Sequence, residues 1–156
     1  METYRLGVGS SLTYVEGSIF DSDATCIINP VNTVGVMGAG LALEFKKRYP
    51  HMFHVYTKHC KSGALQVGRI MFYRAVGDTR IICLFPTKED WRQSSNLDYI
   101  ERGLKAFVRH YQEWDIKSVA FPKLGCGLGG LDWEHHVQPM MEQHLSELPI
   151  DVSIYI

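Results

Sequence analysis

Apolar and polar positions switch repeatedly between two periods along this chain, and the switches outline strands alternating with helices. Residues 12–16 alternate as a strand, and 25–29 form an unbroken apolar run of the kind a strand buried on both faces shows. Residues 38–49 read as a helix stopped by Pro50, and 51–61 as a second helix with Met52, Tyr56 and Cys60 on one face. Strands over 69–75 and 80–86 flank a Gly77-Asp78 turn, which predicts a hairpin. The clearest helix covers 95–114: Leu97, Ile100, Leu104, Val108 and Tyr111 make its apolar stripe, and Ser95 to Asp98 has capping-box spacing. A strand over 116–121, a helix over 133–148 despite Pro139, and a closing strand over 152–156 complete the order. No repeat or linker interrupts it, so the expected fold is one three-layer α/β/α domain spanning residues 1–156, with a central mixed sheet.

Composition narrows this picture. At 156 residues, 46% hydrophobic and 21% charged, the chain can bury a self-sufficient core. A net charge of −1 gives no general attraction for nucleic acid, so any such contact must be local. The densest basic cluster, Lys46-Lys47-Arg48, falls where a helix ends before Pro50 and reads as favourable charge at a helix C-terminus. Of the four cysteines, Cys26 and Cys83 sit in apolar runs as small core residues, Cys60 and Cys126 lie elsewhere, and no C-x-x-C pair occurs. With no signal-peptide core and no run of transmembrane length, the expectation is a cytoplasmic monomer that keeps away from membranes.

Chemistry concentrates at two glycine-rich loops. After the apolar run come Asn29 and Asn32, a turn with Gly35, Gly38 and Gly40, and then the helix holding Leu41, Ala42, Leu43 and Phe45. A strand, a loop poor in side chains and a helix start together present backbone N–H groups to an anion. The alternative is a tight connection and nothing more. A second glycine run, Gly125 to Gly130, follows another apolar strand, and two such loops can grip a diphosphate from both sides. Neither ends in Gly-Lys-Ser/Thr, and neither combines G-x-G-x-x-G with the acidic residue that a ribose requires, so an ordinary ATP or NAD site is not indicated.

In α/β sheets, ligands gather beyond the carboxyl ends of the strands, and Pro86-Thr87-Lys88 falls there too. By position alone Lys88 reads as a solvated loop lysine. His135, His136 and His144 lack an acidic or cysteine partner in metal-ligand spacing and read as a helix face, and no cofactor is called for. Cys126 is expected to pack under its loop with its N–H toward phosphate, since no histidine base accompanies it. Trp91, Arg92 and Tyr99 follow Lys88 and are candidates for stacking on a base, with Tyr99 equally readable as a helix-surface residue.

These strings together resemble a macrodomain, the ADP-ribose-binding α/β fold, over nearly the whole chain. Asn29-Pro30-Val31-Asn32 matches the segment that ends a strand before the first phosphate loop, and Gly125 to Gly130 matches the second loop. Within the family, residues 32–40, 85–88 and 125–133 are similar to the macrodomains of DarG-type antitoxins, relatives of the human terminal ADP-ribose glycohydrolase type. That resemblance implies an ADP-ribosyl glycohydrolase acting on modified DNA bases, or on acidic protein side chains as in the human relative. A reader that only binds ADP-ribose is the alternative. It implies that Asn32 contacts the distal ribose and that Lys88 is catalytic, against its positional reading. Gly38, Ala39 and Gly40 would hold the diphosphate with Gly125, Cys126, Gly127, Leu128, Gly129 and Gly130. Ile19, Thr33, Gly35, Met37 and Thr87 would complete the ADP-ribose contacts.

Two positions depart from the family pattern. Many macrodomains read the adenine amino group with an aspartate where Ser18 stands in Gly17-Ser18-Ile19, and Asp21 and Asp23 nearby read as solvated turn residues. The human relative has an aspartate in its second loop where this chain has Gly129, as the DarG subgroup does, which favours DNA-linked substrates. Expected partners are ADP-ribose, ADP-ribosylated DNA and a cognate ADP-ribosyltransferase toxin. DarG-type antitoxins also carry a toxin-binding region outside the macrodomain, so residues 1–156 read as an excised domain or as a stand-alone hydrolase.

Overall fold

Seven strands join into one mixed sheet in the order β1-β2-β7-β6-β3-β5-β4. They are β1 (Glu2–Tyr4), β2 (Ser11–Val15), β3 (Cys26–Val31), β4 (Met71–Arg74), β5 (Ile81–Pro86), β6 (Ser118–Pro122) and β7 (Asp151–Tyr155). A computed structural model describes residues 2–4, 11–75 and 77–156 of the chain, and only the backbone of residues 2–4. The inner run from β2 to β5 is parallel, while β1 and β4 pair antiparallel at the edges. All six residues of β5 are buried, as a strand covered on both faces requires, whereas β2 and β7 alternate. β4 and β5 form the expected hairpin.

Two cores lie on opposite faces of this sheet. On one face Ile27, Ile82, Leu84 and Ala120 meet Phe45 of α1 (Gly40–Arg48) and Met52 and Tyr56 of α2 (Pro50–Ser62). On the other, Ile28, Phe85, Phe121 and Ile154 meet Ile100, Leu104 and Phe107 of α3 (Leu97–His110) and Met141 and Leu145 of α4 (Gln138–Leu145). Neighbours such as Ile27 and Ile28 point to opposite cores, as strand geometry dictates. Each such side chain contributes about 1.5–3 kcal/mol when fully buried. α3 comes so close to the sheet that a Cβ on Gly103 would lie 2.4 Å from the Phe85 ring.

The strand β1 was not expected from the sequence, and three of the element ends that differ from expectation do so for a clear physical reason. Pro50 does stop α1, and it also opens α2 from its first turn, where a missing N–H costs nothing. The cap of α3 is Asn96, whose Oδ1 accepts from the Asp98 N–H at 2.8 Å; Ser95 is buried and bonded elsewhere, which overturns the capping box read from Ser95. The helix expected over 133–148 begins with a π-wound turn, Trp133–Val137, capped by Asp132, and passes into α4 with Pro139 in its first turn. The Lys46–Arg48 cluster lies in the last turn of α1, with Lys46 4.4 Å from the centroid of the Phe53 ring and Arg48 4.2 Å from that of Phe20.

Candidate functional site

β6, β3 and β5 are parallel neighbours, so their carboxyl ends open on one edge of the sheet. The three segments that follow them enclose a cleft of about 960 Å³. Asn32, Val36, Gly38, Ala39 and Gly40 contribute from the loop after β3, and Thr87, Lys88, Trp91 and Ser95 from the segment after β5. Lys123, Gly125, Gly127, Leu128 and Gly129 contribute from the loop after β6. Lys88 and Lys123 bring two ammonium groups, and among the described residues lining the cleft there is no carboxylate or imidazole.

The loop after β3 is built around Asn32. Its Oδ1 accepts from the N–H groups of Val34 (3.1 Å) and Val36 (3.3 Å), and its Nδ2 donates to the Val36 carbonyl (2.7 Å). From below, the Tyr56 hydroxyl lies 2.8 Å from both Asn32 Oδ1 and the Asn32 carbonyl, and its one proton serves either. Burial pushes the Tyr56 hydroxyl well above the ordinary tyrosine range, so it stays a donor. Asn29, the first asparagine of the pair, faces the core instead, with Nδ2 3.9 Å from the Met37 sulfur. The loop ends at α1, whose first turn carries neither a side-chain cap nor an acidic residue. The N–H groups there are therefore free for an anion in the cleft.

The loop after β6 depends on close backbone contact. Gly125 has φ +71° and Gly130 φ +77°, conformations that favour glycine. At Gly129 a Cβ would lie 2.3 Å from Ser95 Oγ and 2.4 Å from the Gly125 carbonyl oxygen. Ser95 clasps this loop: its N–H donates to the Gly129 carbonyl at 2.9 Å, and its Oγ donates to Thr87 Oγ1 at 3.2 Å. The N–H groups of Gly127, Leu128 and Gly129 make no hydrogen bond to another described residue. Leu128 is 73% exposed and reaches across to α1, where a Cβ on Gly40 would lie 3.3 Å from it. An aspartate in place of Gly129 is thus sterically excluded in this conformation.

Lys88 is half-buried in the cleft wall, and its Nζ lies 3.5 Å from the Trp91 carbonyl oxygen. The Thr33 N–H and hydroxyl both donate to the Glu89 carbonyl at 3.1 Å, which ties the segment after β5 to the loop after β3. Tyr99 donates to the Glu89 carboxylate at 2.8 Å and belongs to the surface of α3.

The residues expected at the site are thus only partly brought together. Asn32, Gly38, Ala39, Gly40, Thr87, Lys88, Gly125, Gly127, Leu128 and Gly129 line the cleft, and Ile19, Thr33, Gly35, Met37, Cys126 and Gly130 do not. Ile19 and Met37 are buried in the core shared with α1 and α2. Ile19 sits in a 3-10 turn where Ser18 Oγ accepts from the Phe20 N–H, so the serine at the family's aspartate position serves as a cap. Gly35 turns at φ +90° above Cys60 and Thr57. The Cys126 N–H is used within its loop, on the Lys123 carbonyl at 3.2 Å, and does not face a ligand as expected. The histidines do not group: His135 pairs with Asp132 (2.9 Å) and His144 with Glu101 (3.4 Å). Ser95, read from the sequence as a helix cap, lines the cleft, as do Val36 and Lys123, which the expected site did not include.

Comparison with known proteins agrees with this geometry. The Macro domain family model matches residues 28–140. A Mycobacterium tuberculosis protein named DNA ADP-ribosyl glycohydrolase is 45% identical over 148 residues, 92% of this chain and 42% of its own length. Human ADP-ribose glycohydrolase OARD1 is 30% identical over 152 residues, covering 94% of this chain and 92% of its own. The chain spans about two-fifths of the length of the bacterial proteins named DNA ADP-ribosyl glycohydrolase that it matches. Among solved structures, the macrodomain of Thermus aquaticus DarG superposes with a TM-score of 0.87 at 40% identity, covering 93% of this chain and 97% of that one. Thermosipho africanus DarTG in complex with ADP-ribose gives 0.89 at 38% identity, over 99% of this chain and 43% of that one. With its two glycine loops opening on one cleft, this chain belongs to the macro domain family.

Proposed function

We propose that the cleft binds ADP-ribose and that the chain removes it from modified DNA bases by hydrolysing the bond at C1″ of the distal ribose. The observation that carries this reading is the convergence of two loops with free N–H groups and Lys88 on one cleft. The diphosphate lies between the start of α1 and residues 127–129, where N–H groups stabilise negative charge without reorganising. The distal ribose lies toward β5, beside Asn32, Thr87 and Lys88. The names of the bacterial relatives support the reaction class.

Hydrolysis consumes one water: the bond from C1″ to the base breaks, the base leaves with its electron pair and takes a proton, and hydroxide ends on C1″. Positive charge grows on the sugar and negative charge on the leaving base. Lys88 is placed to stabilise that base or hand it the proton, while the loops convert remote binding energy into position at C1″. Asn32 positions the loop through its backbone bonds, with its second Nδ2 hydrogen available to the ribose. A cognate ADP-ribosyltransferase toxin is the proposed biological counterpart, in line with the fusion protein named for both activities in Thermosipho africanus.

The test is release of free ADP-ribose from ADP-ribosylated single-stranded DNA and from ADP-ribosylated protein. Lys88→Ala should abolish release while leaving ADP-ribose affinity within roughly tenfold, about 1.4 kcal/mol. Full activity in that variant removes Lys88 from the chemistry. Binding of ADP-ribose with no release from either substrate by the unmodified protein would make it a reader.

A further inference from the structure

Large apolar side chains rarely stand in water without a role when they gather at one place. Of the exposed large apolar side chains among the described residues, Val36, Trp91 and Leu128 line the cleft. Val36 and Leu128 belong to the two glycine loops. Trp91 belongs to neither, and its indole is 55% exposed next to Lys88.

The chain on either side of Trp91 is tied down. Before it, the Glu89 carbonyl is fixed by Thr33. After it, Arg92 is clamped on Asp90: its Nη2 donates at 2.6 Å and its Nε at 3.0 Å, and its own N–H adds a third bond at 3.0 Å. Arg92 holds the Asp90 carboxyl down to about 2, so the clamp is charged at any working pH. The guanidinium carbon lies 5.5 Å from the centroid of the Trp91 ring. An exposed planar aromatic flanked by a planar cation thus stands at the β5 end of the cleft, three residues beyond Lys88. β5 also ends the run of strands whose loops build the cleft, so a ligand lying across the strand ends reaches Trp91 with one terminus.

We propose that Trp91 is the stacking platform for the base that carries ADP-ribose. The inference rests on the glycohydrolase reading above and deepens it. Every base offers a π-face to an indole, whereas a protein carboxylate ester offers none. Charge also argues for a base grip over a backbone grip. Lys88 and Arg92 are matched by Glu89 and Asp90 within the same five residues, so the segment offers phosphates no net cation and releases few counterions. A paired base keeps its faces inside the stack and cannot reach the platform unless it is unstacked.

The experiment compares wild type, Trp91→Ala and Trp91→Phe on an ADP-ribosylated single-stranded oligonucleotide, an ADP-ribosylated protein ester and free ADP-ribose. Trp91→Ala should raise KM for the oligonucleotide about tenfold with kcat held within about twofold, and Trp91→Phe should recover most of the loss. The Trp91→Ala deficit should be the same at low and high salt. Affinity for free ADP-ribose, which has no base at C1″, should not change. Equal kinetics of wild type and Trp91→Ala on the oligonucleotide would overturn the platform and leave the glycohydrolase reading standing. A matching loss of free ADP-ribose affinity would overturn it by placing Trp91 in the ADP-ribose pocket itself. No release from the oligonucleotide by wild type would overturn both readings. Thermal unfolding of the alanine variant checks the fold, which an exposed indole should not disturb.

Discussion

In the loop after β3, shape comes from side chains: Asn32 makes three bonds to the backbone of Val34 and Val36, and Tyr56 supports it from α2. In the loop after β6, shape comes from their absence, because Gly129 lets Ser95 and the Gly125 carbonyl approach where a Cβ would stand. Both loops line the same cleft, yet they should fail differently. Hydrogen bonds can be removed one at a time, each contributing about 0.5–1.5 kcal/mol. A backbone contact at van der Waals distance admits no partial substitution.

The largest effect should therefore come from Gly129→Asp. Its Cβ would fall 2.3 Å from Ser95 Oγ and 2.4 Å from the Gly125 oxygen. Overpacking of this kind costs about 3 kcal/mol at the upper end of its usual range. Calorimetry should show ADP-ribose affinity down roughly a hundredfold, about 2.8 kcal/mol, with a lowered midpoint of thermal unfolding. Rescue of this variant by Ser95→Gly would break the comparison, since the Gly125 carbonyl remains in the way and no rescue is expected.

The loop after β3 should respond in steps. Asn32→Ala removes one acceptor and one donor together and should destabilise the protein by about 2–3 kcal/mol, with ADP-ribose affinity falling alongside. Tyr56→Phe removes only the supporting hydroxyl and should cost about 1 kcal/mol, measurable as a small shift in the denaturation midpoint. Equal losses in the two variants would mean that the loop behaves as a single unit, as its neighbour does.

The same contrast explains what could be read from the chain in advance. Periodicity identified β2 to β7, the hairpin and the helices, because the two cores need apolar residues at those spacings, but it did not reveal the edge strand β1. The glycines were legible because strand ends and helix starts have known chemistry, whereas Lys88 read by position as a solvated loop lysine and only the family resemblance singled it out. What stayed hidden depends on tertiary contact. Ser95 and Asn96 are equally good caps by residue type, and the choice is made by Thr87 and Gly129, which fold onto Ser95 from two other segments. Thr33 ties down Glu89 far along the chain, and no local pattern announces that bond. Asn32 was recognisable as a site residue, but its use as a backbone staple depends on where Tyr56 arrives from α2.

The smallest effect should come from Cys126, the residue that best sharpens the view of the loop after β6 as a backbone structure. Its thiol is half-buried and its Sγ donates to the Leu124 carbonyl at 3.3 Å, a weak bond that a serine hydroxyl can replace. Burial pushes the thiol up from its ordinary 9.0, although the nearby Lys123 charge pulls the other way. The folded state therefore keeps this proton longer than the unfolded chain does. Its stabilising contribution is complete below pH 9.0 and is lost as pH rises through the raised value. At neutral pH the group is a thiol and a poor nucleophile, so alkylation by iodoacetamide should be slow. Cys126→Ser should release ADP-ribose within about twofold of wild type and differ from it in stability only above pH 9.0. A large loss of activity in Cys126→Ser at neutral pH would show that a side chain, and not the glycine backbone alone, shapes this loop.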